Sequence, residues 1–304
     1  MAKILPLRGS ILINGFWRSG TTWVQQVLAK AYGAKTIFEP LSPSSQFPLQ
    51  KRVFGSATPA VWRESFLPLS PEVFTPEDVR YLDLTFAGCC PTRSTFPYLC
   101  RKSVTECFNR RLVIKFVRAH CLLGYMAERY NVTPIHVTRH PCAVVASFAL
   151  SDWTWNFSQV DFCQLYPDSQ PFEDPRAKEQ IHVLHEYSNS SATAKLTALW
   201  ALMERRVAET PGVVSARYED LVRNPEQEFP RLAGRVGATL RNPLETGEDS
   251  PVTVAQRKGI DIEQRLTSWK HELCFEVQES VRSIVEDIWP AGASLWFEAS
   301  SDCE

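Results

Sequence analysis

The residues with the clearest potential for chemistry lie between Gly15 and Thr22, where the sequence reads GFWRSGTT. Their spacing follows the phosphate-binding pattern G-x-x-x-x-G-K-[ST], except that Thr21 stands where the lysine belongs. Arg18 supplies a basic group earlier in the same stretch. Backbone N–H groups at the start of a helix bind anions. The stretch therefore predicts an anion site, and the alternative is a tight turn without a ligand.

The missing lysine limits the phosphate chemistry that is expected. In ATP-hydrolysing loops this lysine contacts the β- and γ-phosphates, and the next hydroxyl contacts magnesium. Thr21 carries no positive charge, so the sequence disfavours ordinary ATP hydrolysis. A 5′-phosphate can still be held by the loop.

A carboxylate follows the next predicted strand, which covers residues 36–40 and ends at Glu39 and Pro40. Proline ends a strand because it lacks the N–H group that the sheet requires. Ligands of open α/β sheets bind at the carboxyl ends of the strands. Glu39 is therefore a candidate general base facing the loop, and the alternative is a surface carboxylate.

Three basic residues lie near the end of the apolar run 111–120, namely Lys115, Arg118 and His120. Lysine is almost never fully buried unless it is paired. We therefore favour an anionic partner for Lys115 over a side chain that reaches to solvent. His120 is a second candidate base, although a single histidine is more often a structural hydrogen-bonding group.

Two later segments carry further groups that suit an anion. Arg139 follows the predicted strand 133–141, and Ser147 lies eight residues further on, about two turns along the next predicted helix. Together they are a candidate second anion site. A basic pair at Arg257 and Lys258 precedes Gly259, although such a pair is usually solvated surface.

These groups depend on an alternation of strands and helices along the chain. Strands are predicted at residues 11–13, 36–40, 111–120, 133–141 and in the first part of 213–221, and the clearest helices cover 192–208 and 275–290. The nearly continuous apolar run at 111–120 is typical of a buried parallel strand. Residues 41–110 and 151–190 carry weaker patterns, and we expect them to be insertions that shape substrate entry.

Composition restricts the setting and the partners of the protein. The chain has 304 residues and a formal net charge of −1, so no global basic field favours nucleic acid or an acidic membrane. Nine cysteines lie scattered without metal-ligand spacing, and no apolar stretch approaches a membrane span. We therefore expect a cytoplasmic protein with free thiols.

Four separated segments of this sequence resemble the PAPS-dependent sulfotransferases, which transfer the sulfuryl group of 3′-phosphoadenosine-5′-phosphosulfate. The segment from Arg18 to Trp23 resembles their 5′-phosphosulfate loop, in which many cytosolic members carry lysine in place of Arg18. Arg139 with Ser147 resembles their 3′-phosphate motif. The resemblance runs in order from residue 11 to about 290 and includes a tyrosine segment at 218–221 and the C-terminal loop at 257–259, followed by Trp269 and Lys270.

The resemblance implies both a fold and a donor site. The implied fold is a three-layer α/β domain over residues 1–304, with a mostly parallel central sheet flanked by helices, as in P-loop proteins. The donor, PAPS, would be a co-substrate held without a metal, and Trp23 would stack on its adenine. The implied binding residues are Arg18, Ser19, Gly20, Thr21, Thr22 and Trp23 at the 5′ end, Tyr218 near the nucleotide, and Arg139, Ser147, Arg257, Lys258 and Gly259 at the 3′-phosphate.

One departure from the family concerns the general base. Cytosolic members carry a Lys-Thr-His segment whose histidine is the base, whereas this chain reads Lys115-Phe116-Val117. Other branches of the family, including bacterial ones, use a glutamate on the strand after the loop. Glu39 matches that placement, so Glu39 is the first candidate base and His120 the second, with Arg18 and Lys115 stabilising charge.

The sequence thus predicts an enzyme that sulfates a hydroxyl or an amine of a small-molecule acceptor. We expect no nucleic-acid or membrane partner and leave a homodimer open. Two alternatives remain at this stage, a P-loop kinase of a small metabolite and a nucleotide-binding module without catalysis.

Overall fold

The computed structural model describes residues 9–43, 47–55, 58–89, 111–151, 156–170, 172–247 and 259–298. Arg257 and Lys258, two of the predicted 3′-phosphate residues, lie outside these ranges, as do parts of the predicted insertions.

The centre of the fold is a five-stranded sheet in the order β2-β3-β1-β4-β5, and every pairing in it is parallel. The inner strand β1 pairs with β3 on one side and with β4 on the other. The strands are β1 Ile11–Asn14, β2 Lys35–Phe38, β3 Leu112–Phe116, β4 Pro134–Thr138 and β5 Val214–Arg217.

Helices connect the strands and extend the chain beyond the last one. They are α1 Thr21–Tyr32, α2 Pro48–Phe54, α3 Ala60–Ser65, α4 Pro76–Phe86, α5 Leu123–Tyr130, α6 Pro141–Ala149, α7 Phe162–Leu165, α8 Pro175–Glu186, α9 Ala192–Ala208, α10 Tyr218–Arg223, α11 Pro225–Arg235, α12 Ile262–Thr267, α13 Trp269–Glu272, α14 Phe275–Ile288 and α15 Pro290–Ala293. Within the described ranges, no helix is long and apolar enough to cross a membrane.

Apolar side chains form one cluster on each face of the sheet. Ile11 and Ile13 of β1 pack with residues of α1 and α11, whereas Leu12 belongs to the cluster that includes α9 and α14. This alternation follows from the two-residue period of a strand. The predicted three-layer α/β architecture is therefore confirmed, and the sheet is entirely parallel.

Three of the strands, β2, β3 and β4, end before the runs that predict them. The run 111–120 forms a strand only from Leu112 to Phe116. Beyond it, the Val117 N–H donates to Glu39 Oε2 at 3.0 Å, so a side chain replaces the neighbouring strand as its partner. Similarly, the predicted strand 36–40 ends at Phe38, and Glu39 follows with a positive φ of 49°.

The chain between β2 and β3 does more than cover the edge of the sheet. Its described parts place several apolar side chains in the same cluster as α9 and α14. These buried residues include Phe47, Leu49, Val61, Phe66, Leu67, Leu69, Leu82 and Phe86. This part of the predicted insertion is therefore integral to the core, and its Phe86 ring stacks on Phe116 of β3.

Candidate active site

The loop from Gly15 to Gly20 joins β1 to α1 and is fixed at both ends by close packing. A Cβ atom on Gly15 would lie 2.5 Å from the carbonyl oxygen of Val137, so only glycine fits there. Gly20 has a φ of 81°, and a Cβ atom on it would lie 2.2 Å from the Tyr218 ring. Arg18 also has a positive φ, 67°, although it is not a glycine. Gly15 therefore permits a close approach to the backbone of β4, whereas Gly20 also permits a positive φ.

The N-terminus of α1 is open in the way that an anion site requires. Its N-cap residue is Gly20, so no side chain caps the first N–H groups of the helix. Thr21 and Thr22 begin the helix and are buried, and the Ser19 hydroxyl is buried without a hydrogen-bond partner among the described residues. The helix dipole adds partial positive charge at this point.

The two predicted anion sites are joined by direct hydrogen bonds. Arg18 Nε donates to Ser147 Oγ at 3.0 Å, although the two residues are 129 positions apart. One terminal nitrogen of Arg139 donates to the carbonyl oxygen of Arg18 at 2.8 Å. The loop, Arg139 and Ser147 in the last turn of α6 therefore form one continuous basic surface.

Tyr218 connects this basic surface to the helix that follows β5. The Arg139 guanidinium lies 4.8 Å from the centre of the Tyr218 ring. The ring of Trp23 meets Tyr218 edge to face at 5.9 Å and Phe229 at 5.4 Å. Trp23 is only 7% exposed, so the structure uses it largely as a core residue between α1 and α11. Its predicted stacking on adenine stays a prediction.

Glu39 and Lys115 form a buried ion pair beside the start of α1. Lys115 Nζ lies 2.5 Å from Glu39 Oε1 and donates to Thr22 Oγ1 at 3.1 Å. It also lies 3.9 Å from the centre of the Phe38 ring. Burial lowers the pKa of Lys115, and the Glu39 carboxylate opposes that shift. The anionic partner expected for Lys115 is thus present in the structure.

A second pair continues this line of charges toward solvent. Arg118 Nη1 lies 3.7 Å from Glu39 Oε2, and Arg118 Nη2 lies 2.9 Å from a carboxylate oxygen of Glu64 on α3. The Arg118 side chain is 3% exposed, whereas that of Glu64 is 29% exposed. The charges therefore alternate from the partly exposed Glu64 inward to Lys115.

His120 lies in a different environment from Glu39. Its ring is buried, contacts the rings of Phe16 and His136, and has no hydrogen-bond partner for either nitrogen among the described residues. Burial and the neighbouring His136 lower the pKa of His120 well below its usual value. The structure therefore keeps this ring neutral and packs it beneath the loop.

The C-terminal segment reaches the residue that follows Arg139. Trp269 stacks on the His140 ring at 4.2 Å, and the rings of Trp296 and Phe297 approach its edges. Gly259, the described member of the predicted basic loop, has a φ of 71°. The chain that carries the predicted C-terminal loop is thus packed against the start of α6.

Several residues at this edge were not identified from the sequence. The His140 ring accepts a hydrogen bond from the backbone N–H of Cys142 and so caps α6. The backbone N–H of His140 donates to Glu219 Oε1. Asn14, His136 and Glu204 form a buried hydrogen-bonded chain under the loop. Polar residues inside the apolar strands ILIN and PIHVT are the sequence signal for the last group. Among the described residues, no group of three or more His, Cys, Asp or Glu side chains is arranged to hold a metal ion.

Comparison with known proteins adds matches among solved structures only, because no protein-family model and no curated protein matches the chain. The sulfotransferase domain from the curacin biosynthetic pathway is 16% identical with a TM-score of 0.45, over 94% of this chain and 98% of that one. Mouse sulfotransferase SULT7A1 complexed with PAP is 10% identical with a TM-score of 0.47, over 98% and 92%. A sulfotransferase from Alicyclobacillus acidocaldarius is 12% identical with a TM-score of 0.43, over 96% and 94%. At these identities, the functional conclusion rests on the side chains of this chain.

Proposed function

We propose that the protein is a PAPS-dependent sulfotransferase that sulfates a hydroxyl or an amine of a small-molecule acceptor. The observation that carries this proposal is that three features lie together at the carboxyl ends of the strands. They are the uncapped start of α1, the Arg18–Ser147–Arg139 surface and the buried Glu39–Lys115 pair. Together they offer two adjoining places for anions and a carboxylate beside them.

The first step is binding of the donor by its two anionic ends. The N–H groups at the start of α1, with the Ser19 and Thr22 hydroxyls, suit the 5′-phosphosulfate. Arg139 and Ser147 suit the 3′-phosphate, with Arg257 and Lys258 as further expected contacts. A donor with a charge at each end suits one arginine within the loop and a second arginine bonded to it.

Lys115 suits the charge that develops during transfer. Its ammonium group contacts both the Glu39 carboxylate and the Thr22 hydroxyl. These two contacts fix the charge beside the start of α1. Fixed positive charge in a buried site stabilises a departing phosphate more strongly than it would in water. Arg18 contributes a second cation on the opposite side of the loop.

Glu39 is the proposed general base. It takes the proton from the acceptor hydroxyl or amine while the acceptor atom forms a bond to sulfur. The bond between sulfur and the bridging phosphate oxygen breaks, and its electron pair leaves with 3′,5′-diphosphoadenosine. The sulfated acceptor and the protonated Glu39 remain, and the proton then passes to solvent.

The acceptor class is inferred from the surroundings of this carboxylate. The chain has a formal net charge of −1, which offers no general attraction for a long acidic glycan. Aromatic rings of Trp17, Phe148 and Phe157 pack against one another near the loop. Arg118, which lies 3.7 Å from Glu39, also lies 5.3 Å from the Trp17 ring, so these apolar rings adjoin the proposed base and suit a small organic acceptor.

The direct experiment is transfer of labelled sulfate from PAPS to a panel of small alcohols, phenols and amines, without added metal. The proposal expects a labelled product and release of 3′,5′-diphosphoadenosine in equal amounts. Binding of that nucleotide without any transfer to a wide panel would instead identify a nucleotide-binding module.

Thermal-shift measurements separate the proposal from a kinase. A ligand that binds only the folded state raises its stability, by about 2.7 kcal/mol at a hundredfold excess over Kd. We expect 3′,5′-diphosphoadenosine to raise the Tm and ATP with magnesium to leave it nearly unchanged. The reverse order would identify a kinase.

A further inference from the structure

A buried chain of three polar side chains lies under the loop and has no part in the steps described above. Asn14 Nδ2 lies 3.0 Å from His136 Nδ1, and His136 Nε2 lies 2.9 Å from Glu204 Oε2. Their exposed fractions are 0%, 2% and 2%. Asn14, His136 and Glu204 are called the buried triad below.

The hydrogen bonds of the triad have a defined direction. The Asn14 amide donates to His136 Nδ1, so a neutral His136 carries its proton on Nε2. That N–H donates to the Glu204 carboxylate on α9. The orientation of the Asn14 side chain is therefore set by a helix on one face of the sheet.

This arrangement costs stability relative to an apolar one. Asn14 Oδ1 and Glu204 Oε1 have no hydrogen-bond partner among the described residues, although both atoms are buried. Replacing a buried polar or charged group by apolar residues of similar volume is often neutral or stabilising. Packing alone therefore does not account for the triad. Its hydrogen bonds do account for it, because they fix the orientation of the Asn14 side chain.

The triad is continuous with the loop that is proposed to hold the donor. Asn14 is the last residue of β1, and Gly15 begins the loop. Asn14 is bonded to His136, and Gly15 is pressed against the carbonyl oxygen of Val137, so two consecutive residues are fixed against two consecutive residues of β4. The neutral His120 ring fills the space between His136 and the loop residue Phe16.

We propose that His136 and Glu204 are positioning residues for the donor, which they hold in place through Asn14 and the start of the loop. The inference rests on the proposed function, because the donor is the ligand of that loop. A displacement of about 1 Å in a positioning element can cost on the order of a hundredfold in rate. Loosening the triad should therefore weaken donor binding and leave acceptor binding unchanged.

The test compares the wild type with Glu204→Met and Glu204→Gln. Methionine fills a similar volume without an acceptor for His136, whereas the glutamine amide oxygen still accepts its N–H. For Glu204→Met we expect affinity for 3′,5′-diphosphoadenosine to fall on the order of tenfold and the KM for PAPS to rise, with the acceptor KM unchanged. Glu204→Gln should restore most of the affinity.

A matched control lies on the same helix. Arg206 of α9 forms an ion pair at 2.9 Å with Asp174, the residue that caps α8. Asp174→Asn should lower the Tm without changing donor affinity. The proposal is overturned if Glu204→Met binds the nucleotide as tightly as the wild type. It is also overturned if Glu204→Met and Asp174→Asn each lose affinity in proportion to their loss of Tm. A wild type that does not bind the nucleotide would overturn the proposed function as well.

Discussion

The Glu39 carboxylate is contacted at both of its oxygens. Oε1 pairs with Lys115, and Oε2 accepts from the Val117 N–H and lies near Arg118. These contacts hold the carboxylate rigidly at the end of β2, which is what a positioned base requires. Removing Lys115 would leave a buried carboxylate without this cation, which is strongly destabilising.

At the scale of this residue we predict the effect of Glu39→Gln. The amide keeps the shape and can still accept from Val117, but it cannot take a proton at neutral pH. General bases contribute about 10²- to 10⁴-fold, so turnover should fall at least a hundredfold. Affinity for 3′,5′-diphosphoadenosine, measured by titration calorimetry, should change little, because Glu39 does not contact the nucleotide in the proposed arrangement.

The control is Glu64→Gln, which changes a carboxylate in the same line of charges at its partly exposed end. It should retain turnover. If Glu39→Gln turned over at a near-normal rate, Glu39 would not be the base, and a substitution at His120 would then be the variant to measure.

At the scale of the element, the turn into α1 depends on a glycine for two separate reasons. Gly20 adopts a φ of 81°, which L side chains rarely take, and its Cα faces the Tyr218 ring. The helix can therefore begin without a side chain over its N-terminal N–H groups. This is the local geometry that leaves these N–H groups without a side-chain cap.

We predict that Gly20→Ala weakens both nucleotide binding and folding. The added methyl group would lie 2.2 Å from the Tyr218 ring, so the ring or the loop must move. Gly237→Ala is a suitable control, because Gly237 has a φ of 69° with no atom within 4 Å of the added carbon. Both variants bear the backbone cost of roughly 1 kcal/mol, which urea unfolding measures.

Only Gly20→Ala should lose affinity for 3′,5′-diphosphoadenosine as well. Equal binding by the two variants would show that the contact between Gly20 and Tyr218 has no part in the site. The comparison thus separates the backbone conformation from the close approach of the ring.

At the scale of the whole molecule, folding encloses two histidines in neutral form, His120 fully and His140 in part. Burial lowers the pKa of His140 to about 3, although a hydrogen bond that the ring donates to the backbone of Trp296 opposes the shift. Burial also lowers the pKa of His120 well below its usual value. The unfolded chain takes up protons on these rings below about pH 6.5, whereas the folded chain does not. The free energy of unfolding that depends on these two rings is therefore fully present above that pH and is lost as the pH falls toward 3.

We predict that His140→Asn reduces this pH dependence. Asparagine can still cap α6, but it has no proton to bind in the unfolded state. Urea unfolding between pH 7.5 and 5 should show a shallower decline, smaller by up to about 1.4 kcal/mol per pH unit in the lower part of the range. His182→Asn, at a side chain that is 80% exposed, is the control and should leave the slope unchanged. An unchanged slope in His140→Asn would contradict the prediction.

The sequence by itself determined the local order of strand, loop and helix, because apolar periodicity and glycine positions act over a few residues. It placed helix Ala192–Ala208 at its observed bounds, and it placed Glu39, Lys115 and Arg139 near strand ends. Since carboxyl ends of parallel strands share one edge, the candidate residues could be expected to gather there.

Only the tertiary structure decided which of these residues meet. The order β2-β3-β1-β4-β5 places Glu39 beside Lys115 and brings the Arg18 loop against Ser147 in the last turn of α6. Periodicity records which face of a strand is buried but not which strand lies beside it, so these pairs were not readable from the chain. The same limit applies to His120, whose neutral, buried place beneath the loop arises from α9 and β4 packing around it.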